Sequence, residues 1–336
     1  MRAPNLGIRI GELEPGTHDA ITDVEGVRVG HTTVIAGDDV RTGVTVVVPR
    51  ELPLFAGCHR LNGNGELTGL EWVRESGCLT TPIGITNTFS VGVVRDAIAA
   101  ESADDDAWSL PVVGETWDGF LNDAMGQHVT AEHTRLALAS AAAGAVDEGC
   151  VGGGTGMICH GFKGGIGTAS RRAGDYVVGV LVQANHGRRR RFRVNGVPVG
   201  ELVGERIPLP RYDDGGSIIV IVATDAPLLP HQCDRLAQRA GIGVGRMGGL
   251  GENSSGDLFF AFASGNTGLT GDDGPVAVRM LPNERIDMLF EAVVDATEEA
   301  ILNALLAAET ATGFKGRTVH ALDAELLLEA LRPQVS

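Results

Sequence analysis

The sequence predicts an α/β protein built on buried β-sheets, and three stretches carry that prediction. Residues 218–224 (IIVIVAT) place apolar or small side chains on both faces of a strand, a pattern typical of a sheet covered on both sides. Residues 176–183 (YVVGVLVQ) form a second run of this kind. Residues 289–312 carry apolar side chains at helical spacing. This last pattern predicts a long helix that ends at Gly313.

The remaining elements follow from the same patterns along the chain. Further strands are predicted from apolar runs at residues 27–34, at 43–48, as a pair within 83–94, and directly after the SSGD motif that begins at Ser254. Further helices are predicted from helical spacing over residues 62–75, 130–146 and 230–246. Residues 101–106 (ESADDD) predict an exposed acidic loop.

Charge and composition exclude several classes of protein. The 336 residues include 43 acidic and 27 basic side chains, for a formal net charge of -16. Because a field of this sign repels phosphate backbones and anionic membranes, we expect neither nucleic acid nor membrane as a partner. The N-terminus lacks a continuous apolar h-region, and no later apolar run is long enough to span a bilayer. We therefore expect a soluble cytoplasmic protein.

The cysteine and histidine spacings predict neither a disulfide scaffold nor a metal site. The cysteines are odd in number and show no CxxC pairing: Cys58, Cys78, Cys150, Cys159 and Cys233. His128 and His133 are five residues apart, which places their side chains on different faces of a helix. We expect no metal and no cofactor. The basic run at residues 188–191, with Arg193, predicts a solvated loop or a partner for acids on another subunit.

The glycine cluster at residues 152–167 (GGGTGMICHGFKGGIG) is the most conspicuous anomaly of composition. It contains no Gly-Lys-Ser/Thr run and does not follow the strand–GxGxxG–helix order of dinucleotide folds. Gly243, Gly245 and Gly248 match GxGxxG, but they follow a helical pattern instead of a strand. The cluster therefore indicates close approach of the backbone to other strands or to a small substrate, and a nucleotide-binding enzyme is disfavoured.

Several polar residues stand where strands begin or end. Ser217 follows Gly216 at the start of the buried run; there its hydroxyl could attack the Gly216 carbonyl and cut the chain, or the two residues could form an ordinary turn. Residues 86–88 (TNT) could line a cleft or satisfy a sheet edge. Residues 115–118 (ETWD) follow a short apolar run, where a strand end would present them to solvent or to a ligand. Ser255 and Asp257, two residues apart, would share one face of a strand.

These stretches occur in an order that resembles the DmpA family of N-terminal-nucleophile aminopeptidases, peptidase family S58, which includes L-aminopeptidase/D-Ala-esterases and β-peptidyl aminopeptidases. The similar motifs are VRTGVTVVVP, LNGNGELTGLEWVRESG, PIGITNTFSVGVVRDA, VVGETWDG, GGGTGM with KGGIGTASR, GVLVQANHG, SIIVIVATDAPLLPHQ, SSGDLFFAF and ATEEAILNAL. Together they cover most of the chain.

The resemblance implies a four-layer αββα sandwich of the DmpA and ornithine-acetyltransferase type, which is similar to the Ntn-hydrolase fold. It also implies one domain over residues 1–336, cut before Ser217 into an α chain of residues 1–216 and a β chain of residues 217–336. The implied activity is that of a self-processing serine aminopeptidase or amidase. It would act on small peptide or amide substrates and assemble as a homo-oligomer of αβ units.

The resemblance also gives roles to individual residues. Ser217 would be the nucleophile, with its freed α-amine as the base. Asn185 matches the family asparagine that donates to the oxyanion, and Ser255 matches the serine that hydrogen-bonds the nucleophile. Asp257 stands where at least some relatives have glutamate, so its carboxylate reaches one methylene less far.

Two further residues fall in the GETxDG motif of the family. Glu115 would bind the substrate ammonium. Trp117 replaces a tyrosine that lines the site in relatives, and an indole can donate a hydrogen bond but cannot accept one. The alternative hypothesis is a non-catalytic member of the same fold that binds a small molecule or serves in an assembly, because Trp117 and Asp257 depart from the family pattern.

Overall fold

The computed structural model describes residues 1–102, 108–211, 216–270 and 274–332. Most of the acidic loop predicted at residues 101–106 lies outside these ranges. The strands are β1 Arg28–Ala36, β2 Val40–Val48, β3 Leu54–Arg60, β4 Cys78–Leu79, β5 Ile83–Asn87, β6 Val112–Thr116, β7 Ile158–Cys159, β8 Phe162–Lys163, β9 Gly165–Ala173, β10 Tyr176–His186, β11 Gly216–Thr224, β12 Asp257–Ala263, β13 Ala311–Gly313 and β14 Arg317–Val319.

The α-helices lie between groups of these strands along the chain, and α7 follows the last of them. They are α1 Leu70–Ser76, α2 Val91–Glu101, α3 Ala131–Ser140, α4 Val199–Val203, α5 Pro230–Arg246, α6 Asp287–Ala307 and α7 Ala324–Leu331. Among the described residues, no helix has both the length and the apolar character that a membrane crossing requires.

Two mixed sheets form the centre of the molecule. One has the strand order β1-β2-β5-β6, and the other has the order β4-β3-β12-β11-β10-β9. In the second sheet β11 runs parallel to β12 and antiparallel to β10. The start of β11 therefore lies beside the start of β12 and opposite the end of β10. This one edge of the sheet brings together three strand ends that are far apart in sequence.

The sheets stack face to face with helices on both outer surfaces. Helices α5 and α6 pack on the larger sheet, while α2 and α3 pack on the smaller one. Between the sheets lies an apolar layer that includes Ile83, Ile85, Ile219, Ile221 and Phe260. The order of layers is helix, sheet, sheet, helix, so the predicted four-layer αββα sandwich is confirmed.

Strand β11 is buried on both faces, as predicted. Ile219 and Ile221 point into the layer between the sheets, while Ile218 and Val220 belong to the core beneath α5 and α6. All four side chains are fully buried. The alternation follows from the two-residue period of a strand, and it fixes the face on which Ser217 lies.

We expect Ile221→Ala to destabilise the fold by about 2–5 kcal/mol, because truncating a fully buried isoleucine removes apolar contacts and leaves a cavity. Urea unfolding followed by circular dichroism measures the change. The matched control is Ile35→Ala on β1, where the side chain is 60% exposed and the expected change is within about 0.5 kcal/mol. Equal losses in the two variants would contradict the assigned core.

The predicted strand pair at residues 83–94 was wrong in its second half. The strand ends at Asn87, whose side chain accepts a hydrogen bond from the Phe89 backbone and so turns the chain. Helix α2 begins at Val91 and buries Val94 and Ile98. The four-residue spacing of Val94 and Ile98 is helical. The apolar VGVV run at the start of α2, however, shows neither a helical nor a strand periodicity.

Three predicted helices were longer than the observed ones. Helix α3 stops at Ser140, since the backbone of Ala142 pairs with that of Val29. Helix α6 stops at Ala307, so Gly313 lies in β13 and is not its C-cap. Within the predicted helix 62–75, only the part from Leu70 onward is helical.

The basic run at residues 188–191 is only partly solvated. Arg188, Arg190 and Arg191 are exposed, as predicted. Arg189 is buried, and it donates hydrogen bonds to the carbonyls of His160, Gly161, Gly204 and Ile207. Four backbone acceptors satisfy this guanidinium inside the fold, an arrangement that the sequence pattern does not reveal.

Candidate active site

Ser217 lies at the edge of the larger sheet where the three strand ends meet. It is the second residue of β11 and is 5% exposed, and its Oγ accepts a hydrogen bond of 3.1 Å from the Gly256 N–H. Gly216 before it has φ of 65°. A Cβ at this position would lie 1.7 Å from the carbonyl oxygen of Asn185. Both the backbone conformation and the close approach therefore require glycine immediately before the serine.

Asn185 stands directly opposite Ser217 in the β10–β11 ladder. Residues opposed in this way project their side chains from the same face of the sheet, with Cβ atoms about 4.5–5.5 Å apart. The Asn185 amide is held at both ends. Its Oδ1 accepts from the Ile158 N–H at 2.7 Å, and its Nδ2 donates to the Trp117 carbonyl at 2.9 Å. The Nδ2 group has a second hydrogen, which remains available for an acceptor near Ser217.

Ser255 and Asp257 form a hydrogen-bonded pair at the start of β12. The Ser255 Oγ donates to Asp257 Oδ1 at 2.6 Å, and both side chains are buried. Asn62 completes the unit, since its Oδ1 accepts from the Asp257 N–H at 2.6 Å and its Nδ2 donates to Asp257 Oδ2 at 3.3 Å. Burial raises the pKa of Asp257 to about 6. Within the described ranges, the bond to Ser217 comes from the Gly256 amide and not from the Ser255 hydroxyl.

Glu115 is the last but one residue of β6 and is buried, 3% exposed, rather than presented beyond the strand end. Its Oε1 accepts from the Glu66 N–H at 3.0 Å, and its Oε2 accepts from the Thr88 hydroxyl. Burial raises the pKa of Glu115, and these two hydrogen bonds oppose the rise. A carboxylate held in this way binds a cation at a fixed point.

A cleft of about 460 Å³ joins Glu115 to Ser217. Its walls include Trp117, whose ring meets the edge of Phe89 at 5.6 Å between centroids. Among the described residues, the walls are formed by Asn64, Gly65, Glu66, Thr88, Glu115, Trp117, Gly216, Ser217 and Ser254. The cleft is large enough for a short peptide end, and the ionisable side chains among these residues, Glu66 and Glu115, are acidic.

Asp118, next to Trp117, is buried and accepts a hydrogen bond of 3.0 Å from Asn122. Burial raises its pKa to about 6. In the unfolded chain an aspartate ionises near pH 4, so above that pH the folded state carries the cost of burying this charge. Asp118→Asn removes the charge at every pH.

We therefore expect the melting temperature of Asp118→Asn, relative to the parent protein, to rise between pH 4 and pH 6 and to stay level above pH 6. Thermal unfolding of both proteins at pH 4.5, 5.5, 6.5 and 7.5 measures the difference. A difference that falls as the pH rises would show that the Asp118 carboxylate is stabilised in the folded protein.

The structure brings together most of the residues predicted for the site. Glu115, Trp117, Gly216 and Ser217 line one cleft, and Asn185 is paired with Ser217. Of the TNT run, Thr88 lines the cleft. Its neighbours bond inside the fold, Thr86 to the Gly43 carbonyl and Asn87 to Thr42.

Sequence reasoning missed the residues that support the predicted ones. Asn62 holds Asp257, and Asn64 donates to the Ser254 carbonyl at 2.6 Å. Glu66 supplies the N–H that fixes Glu115. The NGNGE run at residues 62–66 was the available signal, because two Asn-Gly pairs in succession are typical of a loop and not of a helix.

The four-layer sandwich and the nearly buried serine that heads a central strand, opposite an amide donor, define an Ntn-hydrolase type of protein. A profile of Peptidase family S58 matches residues 19–319. The chain belongs to this family. It is a hydrolase with aminopeptidase activity.

Known relatives agree with this assignment over nearly the whole chain. "Beta-peptidyl aminopeptidase BapA" of Sphingosinicella microcystinivorans is 49% identical, over 96% of this chain and 89% of its own length. A solved structure of "Burkholderia sp. beta-aminopeptidase" has a TM-score of 0.94 at 55% identity, covering 99% of this chain and 98% of that one.

A third relative is a solved serine aminopeptidase. The L-aminopeptidase D-Ala-esterase/amidase of Ochrobactrum anthropi, described as a prototype for the serine aminopeptidases and a variant of the Ntn hydrolase fold, has a TM-score of 0.92. It is 43% identical and covers 98% of each chain. The resemblance to the DmpA family is confirmed, and the enzyme is favoured over a non-catalytic member of the fold.

Proposed function

We propose that this enzyme cuts its own chain between Gly216 and Ser217 and then releases N-terminal residues from short peptides, amides or esters through an acyl-enzyme on Ser217. The observation that carries the proposal is the single cleft that Glu115 and Ser217 both line, with Asn185 paired to the serine. The proposed products are an α chain of residues 1–216 and a β chain of residues 217–336 within one domain.

Self-cleavage begins when the Ser217 Oγ attacks the carbonyl carbon of Gly216. The Gly216–Ser217 C–N bond breaks as the acyl group moves to oxygen, and the serine nitrogen takes up the hydroxyl proton. Water then hydrolyses the ester, which frees the Gly216 carboxylate and restores the hydroxyl. Gly216 has no side chain to block the approach, and its positive φ sets its backbone apart from that of an ordinary strand residue.

Cleavage supplies the base for the second reaction. The new α-amine of Ser217 has an unperturbed pKa of about 7.7–8.0, so near neutral pH an appreciable fraction can accept the hydroxyl proton. Ser217 then attacks the substrate carbonyl, and the leaving amine takes the proton. Water attacks the resulting acyl-enzyme by the same route. The uncut chain has no such amine and should be inactive towards external substrates.

Asn185 and the residues at the start of β12 support these two reactions. The free N–H of the Asn185 amide donates to the oxyanion that forms beside Ser217. Ser255 and Asp257 act as positioning residues, because their hydrogen-bonded unit fixes the intervening Gly256 amide, which contacts the Ser217 Oγ. Trp117 forms one wall of the substrate site.

Glu115 binds the free amino group of the substrate and thereby restricts hydrolysis to the bond after the N-terminal residue. The names of the two relatives at 49% and 55% identity lead us to propose N-terminal β-amino acids as the preferred residues. A β residue places one more methylene between its amine and its carbonyl. The cleft between Glu115 and Ser217 must accommodate that length.

A matched substrate panel tests the function. We expect β-alanyl and β-homoamino acyl p-nitroanilides to be hydrolysed with higher kcat/KM than the corresponding L- and D-α-aminoacyl compounds. N-acetylated versions should not react. Equal rates with blocked and free amines would contradict an aminopeptidase that is anchored by Glu115, and a preference for α residues would overturn the β assignment alone.

We expect Glu115→Gln to lower kcat/KM for free-amine substrates by about 10–150-fold, mainly through KM. A charge-assisted hydrogen bond contributes about 1.5–3 kcal/mol, and the glutamine keeps the shape but loses the charge. Self-cleavage should persist, because it involves no substrate amine. Steady-state kinetics measures the change, with Glu66→Gln, whose side chain also lines the cleft, as a control of smaller effect.

The proposal extends to assembly and location. We propose a homo-oligomer of αβ units in the cytoplasm. All five cysteines are free thiols, as a reducing compartment would keep them. Light scattering of the purified enzyme measures the mass of the assembly, and a single αβ unit at working concentration would contradict it.

A further inference from the structure

Behind the candidate active site lies a buried cluster of one thiol and two imidazoles. Cys159 ends β7, His160 follows it in the turn, and His186 is the last residue of β10. One ligand atom from each lies within 4.8 Å of the other two, and the three side chains are at most 2% exposed. The separation in sequence between residues 160 and 186 explains why spacing rules do not predict the cluster.

The cluster leaves polar atoms without partners inside the protein. Within the described ranges, neither ring nitrogen of His160 has a hydrogen bond, nor has Nε2 of His186. Buried polar atoms are normally satisfied, and each exception needs an explanation. His160 also has φ of 50°, a strained conformation for a residue with a side chain, and such strain concentrates at functional sites.

We propose that Cys159, His160 and His186 bind one thiophilic monovalent cation, Cu(I), as a thiolate and two neutral imidazoles. The Cys159 Sγ and the His186 Nδ1 are 3.8 Å apart. Two ligands at typical metal–sulfur and metal–nitrogen lengths of about 2.3 and 2.0 Å are separated by about 3.7 Å at a trigonal angle. The distance between the Cys159 Sγ and the His186 Nδ1 therefore matches the one expected for two ligands of the same ion.

The donor set suits a thiophilic metal. One thiol and two imidazoles offer one sulfur and two nitrogen ligands within a small buried volume. The thiol gives up its proton to solvent as the metal binds.

Charge favours Cu(I) over Zn(II). The surroundings are already cationic, since Arg189 Nε donates to the His160 carbonyl at 3.2 Å and the buried Lys163 ammonium binds two backbone carbonyls. Cu(I) with one thiolate is neutral, whereas Zn(II) with one thiolate would leave a positive charge in this interior. Structural zinc also takes four ligands, and three are present among the described residues.

The ion would fasten the segment that holds the proposed oxyanion donor. The His160 N–H donates to the His186 carbonyl at 2.7 Å. Ile158, beside Cys159, donates to Asn185, beside His186. A metal ion coordinated by Cys159, His160 and His186 would cross-link these two segments. We therefore expect copper loading to raise the melting temperature.

Anaerobic competition against a chromophoric Cu(I) chelator tests the site. Native protein is incubated with Cu(I)–bicinchoninate, and a second sample is expressed in copper-supplemented medium because the site is closed. We expect one tightly held Cu(I) per chain. Cys159→Ala and His160→Leu should each weaken binding by at least about 100-fold, since even outer-sphere changes cost 10–100-fold. Cys233→Ala, which removes another fully buried free thiol, should bind as the parent does.

X-ray absorption of the copper-loaded parent protein gives a result that needs no variant. One sulfur and two nitrogens around copper would support the site. A sulfur-only shell would show binding at the partly exposed cysteines and would overturn the proposal. Unchanged affinity in Cys159→Ala would overturn it as well, and so would Zn(II) that displaces Cu(I) at equal concentration.

Discussion

Purified Ser217→Ala protein should run as one full-length band on a denaturing gel and should hydrolyse no aminoacyl substrate. In the proposed mechanism one hydroxyl serves both reactions: it attacks the Gly216 carbonyl during processing and the substrate carbonyl afterwards. The fold should be unchanged, because alanine fits this position and, within the described part of the chain, the change removes only the hydrogen bond that the Ser217 Oγ accepts from the Gly256 N–H. The parent protein should give two bands.

Ser217→Cys is the matched control for this experiment. A thiol at the same position is also a nucleophile, so this variant should still split, at a different rate, and should retain some turnover. Ser217→Ala protein that separates into two fragments on long incubation would show that another group cuts the chain.

Replacement of Asn185 should lower kcat by about 10²–10³, the usual loss when one oxyanion donor is removed. Asn185→Asp removes the donor and keeps the acceptor. The aspartate keeps an oxygen to accept from the Ile158 N–H but has no N–H to offer to the oxyanion or to the Trp117 carbonyl. Its negative charge would also repel the developing oxyanion.

Kinetics of Asn185→Asp and Asn185→Ala on one p-nitroanilide measures the effect, with thermal unfolding as the check on the fold. KM should change much less than kcat, because the donor acts on charge that appears in the transition state. A folded Asn185→Asp enzyme with kcat within a few-fold of the parent would place the oxyanion donor elsewhere.

Much of the fold could be predicted from local pattern. Strand β11 was predictable because a short, continuous apolar run is typical of a strand that is buried on both faces. Helix α5 was predicted with its observed bounds, Pro230–Arg246, because proline is well placed at a helix start. Helix α2 was missed because the apolar VGVV run fits a strand as well as a helix, and only packing on the smaller sheet decides between them.

The residues at the cleft could be predicted from the family resemblance, whereas the residues that support them could not. Ser217, Asn185 and Glu115 stand in motifs that resemble those of the family. Asn62 and the buried Arg189 serve as partners to groups far away in sequence. No local pattern records those contacts, because the tertiary fold creates them.

Intact-mass measurement of enzyme at full specific activity tests whether self-cleavage before Ser217 creates the active enzyme. We predict two chains and no intact one, the larger ending at Gly216 and the smaller, of about 120 residues, beginning with a free amine at Ser217. Fully active protein that consists of one unbroken 336-residue chain would contradict this mechanism, because Ser217 would then have no α-amine to act as its base.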